Sequence, residues 1–233
     1  MSYSRPLPGT QPPLNSPAYG STQQRAPLAV PIPVPHTLTE TSGPRLSPAH
    51  FPILADMSVV NGHAAMGERI IVAGRVLDEA GRPVPHSMVE VWQANSAGRY
   101  HHERDQHDAP LDQHFQGHAR IFTDAEGRYS FTTIKPGAYP WRNHHNAWRP
   151  AHIHLGLFGV GYAQRMVTQM YFPGDPLLPL DPIFNTTADA QARARLIAAF
   201  DLDVTRLEWA LGYRFDITLR GLAATPFEEG EHA

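Results

Sequence analysis

The chain contains no cysteine. Disulfide scaffolds, thiolate-bound zinc, iron–sulfur clusters and a cysteine nucleophile are thereby excluded. The same absence suits a reducing compartment. Charge is sparse and balanced, with 19 basic against 22 acidic residues and a formal net charge of −3. Without a broad basic field, neither nucleic acid nor an anionic membrane is expected as a partner. No apolar run reaches the ~18 residues that a membrane-spanning helix needs. The opening stretch "MSYSRPLPGTQPPLN" lacks the apolar core of a secretory signal. The expectation is a soluble, cytoplasmic protein.

What is present is enough for a real core. The 233 residues are 42% hydrophobic and 18% charged, and a chain of this size hides roughly 70% of its unfolded surface. Eleven of the 23 prolines fall within residues 1–50, as in "PLAVPIPVP". Proline fixes φ and removes a backbone donor, so residues 1–50 read as an extended arm. Its Val, Ile and Leu suit a segment lying along a surface or a partner subunit, with a disordered tail as the alternative. Residues 51–233 then form one domain. "RIIVAGRVLD", "SMVEVWQAN", "HARIFTD", "RYSFTTI", "PAHIHLGLF", "RMVTQMYF" and "YRFDITLR" are strand candidates separated by Gly- and Pro-rich turns. "HARIFTD" and "RYSFTTI" are expected to close a hairpin over "AEG". One short helix is expected at about 187–200, capped by Thr186 or Thr187. The fold class is all-β, an antiparallel β-sandwich with one short helix and a Pro-rich N-terminal arm.

Nine of the 14 histidines lie between His101 and His154. Most read as surface residues. The pair in "WRPAHIHLGLFG" differs. Side chains alternate along a strand, so Ala151, Ile153, Leu155 and Leu157 face the core while His152 and His154 share the opposite face. Pro150 favours an extended Arg149 before them. Two imidazoles on one face can bind one metal ion, yet the pattern alone also fits zinc hydrolases, cupin-type iron sites and two ordinary histidines. Tyr139 in the Pro/Gly loop "KPGAYPW" and Tyr100, just after the strand "VEVWQ", each read in isolation as exposed tyrosines.

Taken together the segments are more specific. "GERIIVAGRVLDEAGRPVPHSMVEVWQANSAGRY", "APLD", "GRYSFTTIKPGAYPWRN", "WRPAHIHLGLFG", "TQMYFPGDPL" and "YRFDITLRG" resemble the intradiol ring-cleaving dioxygenases, from about Glu40 to Gly221. The spacing from Tyr100 is 39 residues to Tyr139, then 13 and 15 more to His152 and His154. The resemblance implies one ferric iron per chain with Tyr100 and His152 as equatorial ligands and Tyr139 and His154 as axial ones. Phenolate is a hard, anionic donor suited to Fe(III). The resemblance further implies that a catechol chelates the iron, that Tyr139 is displaced and takes a substrate proton, and that Arg149 stabilises developing negative charge. Tyr19, Trp92, Trp141, Gln169 and Ile183 fall where the family lines its substrate pocket. Gln106-His107 and His144-His145 depart from the family pattern without touching a ligand.

The proline-rich arm favours the branch that cleaves protocatechuate to 3-carboxy-cis,cis-muconate in aromatic catabolism, since relatives acting on catechol or hydroxyquinol carry a helical N-terminal domain. That branch implies a partner, a homologous α subunit without iron ligands, in a larger αβ oligomer. Two other readings stay open here. "GRVLDEAGRPVPHSMVEVW" also suits a non-catalytic transthyretin-like sandwich, and H-x-H with a carboxylate would suit a cupin-like zinc or Fe(II) enzyme.

Overall fold

A computed structural model of the chain describes residues 7–13, 32, 37–38, 46–142, 144–145, 147–159 and 165–227. Thirteen strands occur among them: β1 (Val59–Val60), β2 (His63–Ala64), β3 (Arg69–Leu77), β4 (Met88–Trp92), β5 (His118–Phe122), β6 (Arg128–Ile134), β7 (Tyr139–Trp141), β8 (Ala147–Arg149), β9 (His152–Phe158), β10 (Arg165–Tyr171), β11 (Ala199–Phe200), β12 (Leu211–Arg214) and β13 (Ile217–Thr218). Two larger sheets face each other. One runs β10-β9-β4-β5, antiparallel throughout. The other is built on β3, which pairs antiparallel with β6 and parallel with β12 and β13, β11 flanking β12. The two parallel contacts depart from a wholly antiparallel sandwich. Long chain excursions separate β3 from β12 and β13, so no hairpin dictates their direction.

The core fills the space between the sheets. Val89, Val91, Ile153, Leu155 and Leu157 from the first sheet meet Ile70, Val72, Val76, Phe131 and Ile217 from the second. Each side chain buried in this way contributes about 1.5–3 kcal/mol. The alternation expected of β9 is therefore present, with Ile153 and Leu155 fully buried inward. Its other face carries His152 and His154.

Two local expectations are corrected. The turn between β5 and β6 is tight, with Asp124 N donating to Arg128 O at 3.0 Å and Gly127 N to Asp124 O at 3.0 Å. Beyond it the strands part, β5 pairing with β4 and β6 with β3. The segment is a crossover between sheets, because each strand gains more by joining a sheet whose core face matches its own apolar residues. The helix spans only Ala190–Ala194, and its cap is Asp189, whose Oδ1 accepts from Ala192 N at 2.7 Å. The following residues leave the helix to pair elsewhere. Leu196 O accepts from Tyr171 N, Ala198 N donates to Tyr171 O, and Ala199–Phe200 joins β12. Tertiary strand pairing overrides their helix propensity.

Residues 7–13 lie on the domain itself. Gly9 O accepts from Asp189 N at 2.8 Å, and Gln11 exchanges hydrogen bonds with Thr225 O and Phe227 N. Most of the proposed arm, including "PLAVPIPVP" apart from Ile32, lies outside the described residues. Among the described residues, no helix is long and apolar enough to cross a membrane.

Candidate active site

β9 is a central strand, and its register fixes what surrounds the histidines. His154 stands opposite Trp92 on β4 and Gln169 on β10, and His152 opposite Tyr171. Directly paired residues project to the same face, so all five side chains share it. Trp92 stacks on His154, with ring centroids 5.0 Å apart and planes 8° from parallel. Both histidines are buried, at 1% and 3% exposure. His152 Nδ1 lies 2.7 Å from the carbonyl oxygen of Pro150. A carbonyl can only accept, so Nδ1 carries the proton and Nε2 keeps its lone pair free for another partner. Burial first, then the neighbouring Arg149 cation and His154, hold the His152 pKa well below the ordinary histidine value, against the opposing pull of the Pro150 bond. The ring is neutral at neutral pH, as a metal ligand must be.

Tyr100 and Tyr139 are brought together by two turns pressed backbone to backbone. After β4 the chain turns around Asn95, whose Oδ1 accepts from Ala97 N and Arg99 N at 2.9 and 3.0 Å. Gly98 has φ +80°, and a Cβ there would sit 2.1 Å from Ala138 O. Gly137 faces it, and a Cβ there would sit 2.5 Å from Ser96 O. Gly137 N donates to Asn95 O at 2.9 Å. Only glycine permits so close an approach. Tyr100 is thus eight residues past the end of β4 rather than at a strand end, and Asp105 Oδ2 accepts from its backbone N at 2.7 Å. Tyr139 does not lie in a loop but opens β7, paired with Arg149 of β8. The two rings meet edge to face, with centroids 5.5 Å apart.

Each phenol then reaches an imidazole. Tyr100 Oη lies 3.1 Å from His154 Nε2, and Tyr139 Oη 3.2 Å from His152 Nε2. The four residues named from the sequence as ligands are brought together. Several of the residues expected to line a substrate pocket lie around these four. Trp141 and Ile183 pack in one cluster with Tyr139, and His144 stacks near Trp141. Arg149 is fully buried, its Nε 3.0 Å from Asp181 Oδ1 and its Nη2 against Gln169 Oε1 and Tyr171 Oη. Its guanidinium lies 5.7 Å from the Trp141 ring centroid. Tyr19 lies outside the described residues. Sequence patterns do not single out Tyr171, whereas an acid inside the apolar "PLLPLDPIF" is a usable signal for Asp181, because a charge there must be paired or removed.

The donor set fits a hard, highly charged cation. Among the described residues, no group of three or more histidines, aspartates and glutamates could hold a metal ion, so no carboxylate completes the pair as in the cupin-like reading. Each Nε2 has a phenol within hydrogen-bond distance. A trivalent ion can replace both phenolic protons, because metal charge inverts the local pKa logic.

The dioxygenase family model matches residues 42–221. The chain is 57% identical over 216 residues to the protocatechuate 3,4-dioxygenase beta chain of Burkholderia cepacia, covering 91% of each protein. The chain belongs to the intradiol dioxygenase family. This is a family of non-haem iron enzymes. Similarity extends to the protocatechuate 3,4-dioxygenase alpha chain of Pseudomonas putida, 30% identical over 83% of this chain and 96% of that one. In structure, the catechol 1,2-dioxygenase of Acinetobacter sp. ADP1, inhibited by bound mercury, superposes with a TM-score of 0.51 at 26% identity, over 70% of this chain and 55% of that longer one. This chain and that enzyme thus share the intradiol dioxygenase sandwich fold.

Proposed function

We propose that this chain is the iron-bearing subunit of an intradiol dioxygenase that opens protocatechuate with O2 between its two hydroxyl-bearing carbons, giving 3-carboxy-cis,cis-muconate. The observation that carries the reading is the buried pair of phenol–imidazole contacts on one face of β9. The identity to a beta chain named for that reaction supports the substrate. One ferric iron per chain would be held by Tyr100, Tyr139, His152 and His154. When bound, the iron supplies a Lewis acid that stabilises a catechol dianion and makes its ring reactive toward O2.

The chain's own residues divide the remaining work. Tyr139 Oη accepts a proton from a substrate hydroxyl as the catechol binds. Tyr100 stays a phenolate throughout. The Pro150 carbonyl keeps His152 in the tautomer that presents Nε2, and Trp92 holds the plane of His154 by stacking. Arg149, in a water-poor setting, stabilises negative charge developing on the substrate. Trp141 and Ile183 form apolar walls. Gln169 braces the guanidinium, and Tyr19 is retained as a pocket residue on the family resemblance alone. Residues 1–50 would form an arm and residues 51–233 the catalytic domain. The partner would be a homologous α subunit, in keeping with similarity to both alpha and beta chains.

The test is optical. Ferric phenolate absorbs strongly, so purified protein should be red-brown and contain one iron per chain. Protocatechuate added without O2 should shift the band, and admitting O2 should consume one O2 per substrate. His154→Ala should lose both iron and colour. A colourless protein that takes up no oxygen after iron loading would overturn the reading, as would full iron and unchanged colour in His154→Ala.

A further inference from the structure

Asp181 is fully buried and lies on no strand. Both of its carboxylate oxygens are occupied. Oδ1 accepts from Arg149 Nε at 3.0 Å and from Ile183 N at 3.3 Å. Oδ2 accepts from Tyr171 Oη at 3.1 Å and from Phe184 N at 3.3 Å. Its own carbonyl oxygen accepts from Asn185 N at 3.1 Å and Asn185 Nδ2 at 2.8 Å, which stiffens the turn that carries it. The Tyr171 hydroxyl lies 2.6 Å from Gln169 Oε1 and 3.2 Å from Arg149 Nη2. One acid therefore joins two parts of the site that are distant in sequence. On one side is the guanidinium of β8, three residues before His152. On the other is the backbone of Ile183, whose side chain packs with Trp141 and Tyr139.

Chemistry gives this arrangement a purpose beyond neutralising a charge. An arginine side chain has many rotamers, and a buried cation helps a reaction only if its place is fixed before the charge develops. Asp181 fixes the Nε edge, while Gln169 and Tyr171 take Nη2, so the guanidinium plane is held at two points. The same carboxylate anchors the turn that places Ile183. We infer that Asp181 is the positioning residue that sets the Arg149 guanidinium and the Ile183 wall as one unit for the oxygen-dependent step. The inference rests on the role proposed above for Arg149.

The experiment uses the iron-loaded enzyme with its partner subunit. Each variant is saturated with protocatechuate without O2, then mixed with O2, and decay of the substrate-complex band is timed. Only folded, loaded molecules contribute to this signal, so a merely structural role would lower its amplitude and leave its rate unchanged. Asp181→Asn keeps the shape and removes the charge. Its decay should slow by about tenfold or more, while anaerobic protocatechuate affinity and the resting band stay within about threefold of wild type, since an amide of the same shape still fills the turn that places Ile183 and touches no proposed ligand. Tyr171→Phe, which removes the hydroxyl shared by Asp181 Oδ2, Gln169 Oε1 and Arg149 Nη2, should slow the same step to a smaller extent.

Decay of Asp181→Asn within about twofold of wild type, beside a slow Arg149→Met, would overturn the role of Asp181 alone. A wild-type rate in Arg149→Met would overturn the role of Arg149 and this inference with it. Should Asp181→Asn not fold, a wild-type decay in Tyr171→Phe overturns the inference in its place.

Discussion

Tyr100 and Tyr139 carry the same phenol on different supports. Tyr139 sits in the β7–β8 ladder opposite Arg149, so it cannot leave an iron by a swing of its backbone without breaking strand pairing. Rotation about its side-chain torsions moves the hydroxyl and spares the ladder, since staggered wells are close in energy. Tyr100 is fixed from its backbone by Asp105. Tyr139→Phe should therefore keep iron and part of the phenolate colour but bind protocatechuate slowly and turn over slowly, the proton acceptor having gone. Tyr100→Phe should change the colour of the anaerobic substrate complex. Stopped-flow spectra with and without substrate check both. Normal binding rate and turnover in Tyr139→Phe would leave it a resting ligand only. At this scale the alternation of H-x-H places two imidazoles on one face, but the set of four proposed ligands is legible only through the family resemblance. The role of Asp181 is not legible, because it depends on Arg149, 32 residues away, and no local pattern ties the two together.

Loop contacts decide more at the level of elements than the strands do. The Gly98–Gly137 contact brings the Tyr100 loop against β7, and a methyl group at Gly98 would meet Ala138 O at 2.1 Å in a φ +80° conformation. Gly98→Ala should cost about 1–3 kcal/mol in backbone strain alone and push the two phenols apart. Urea titration would read the loss of stability, and iron content would read the loss of site geometry. Full iron loading with unchanged stability would show that the loops can yield. Strands were legible as period-2 runs, but their partners were not. The crossover after β5 looks like a hairpin because its turn is one, and only the pairing of β5 with β4 and β6 with β3 tells otherwise. The helix was overextended because Ile197–Phe200 favours helix locally, while β10 and β12 offer it backbone partners.

For the whole molecule, composition and turn spacing were enough to read a sandwich, since each strand's apolar face needs a covering sheet. They could not give the parallel contacts of β12 and β13 with β3, which depend on where long connections happen to return. Assembly belongs to this scale as well. Co-expression with a homologous α chain should raise soluble yield and specific activity over expression alone, measured by oxygen uptake per iron. A fully active, soluble monomer would refute the need for a partner.

The strict alternation of β9 ties the proposed site to one strand register. A slip of one residue against β4 and β10 would turn His152 and His154 inward and expose Ile153 and Leu155 to the opposite side. A mis-paired chain would therefore turn both imidazoles away from Tyr100 and Tyr139, and a metal needing all four would not trap it. Were iron bound by the proposed ligands, its capture would reward only molecules whose central strand had already found its place, so the metal would select for the native register instead of competing with it.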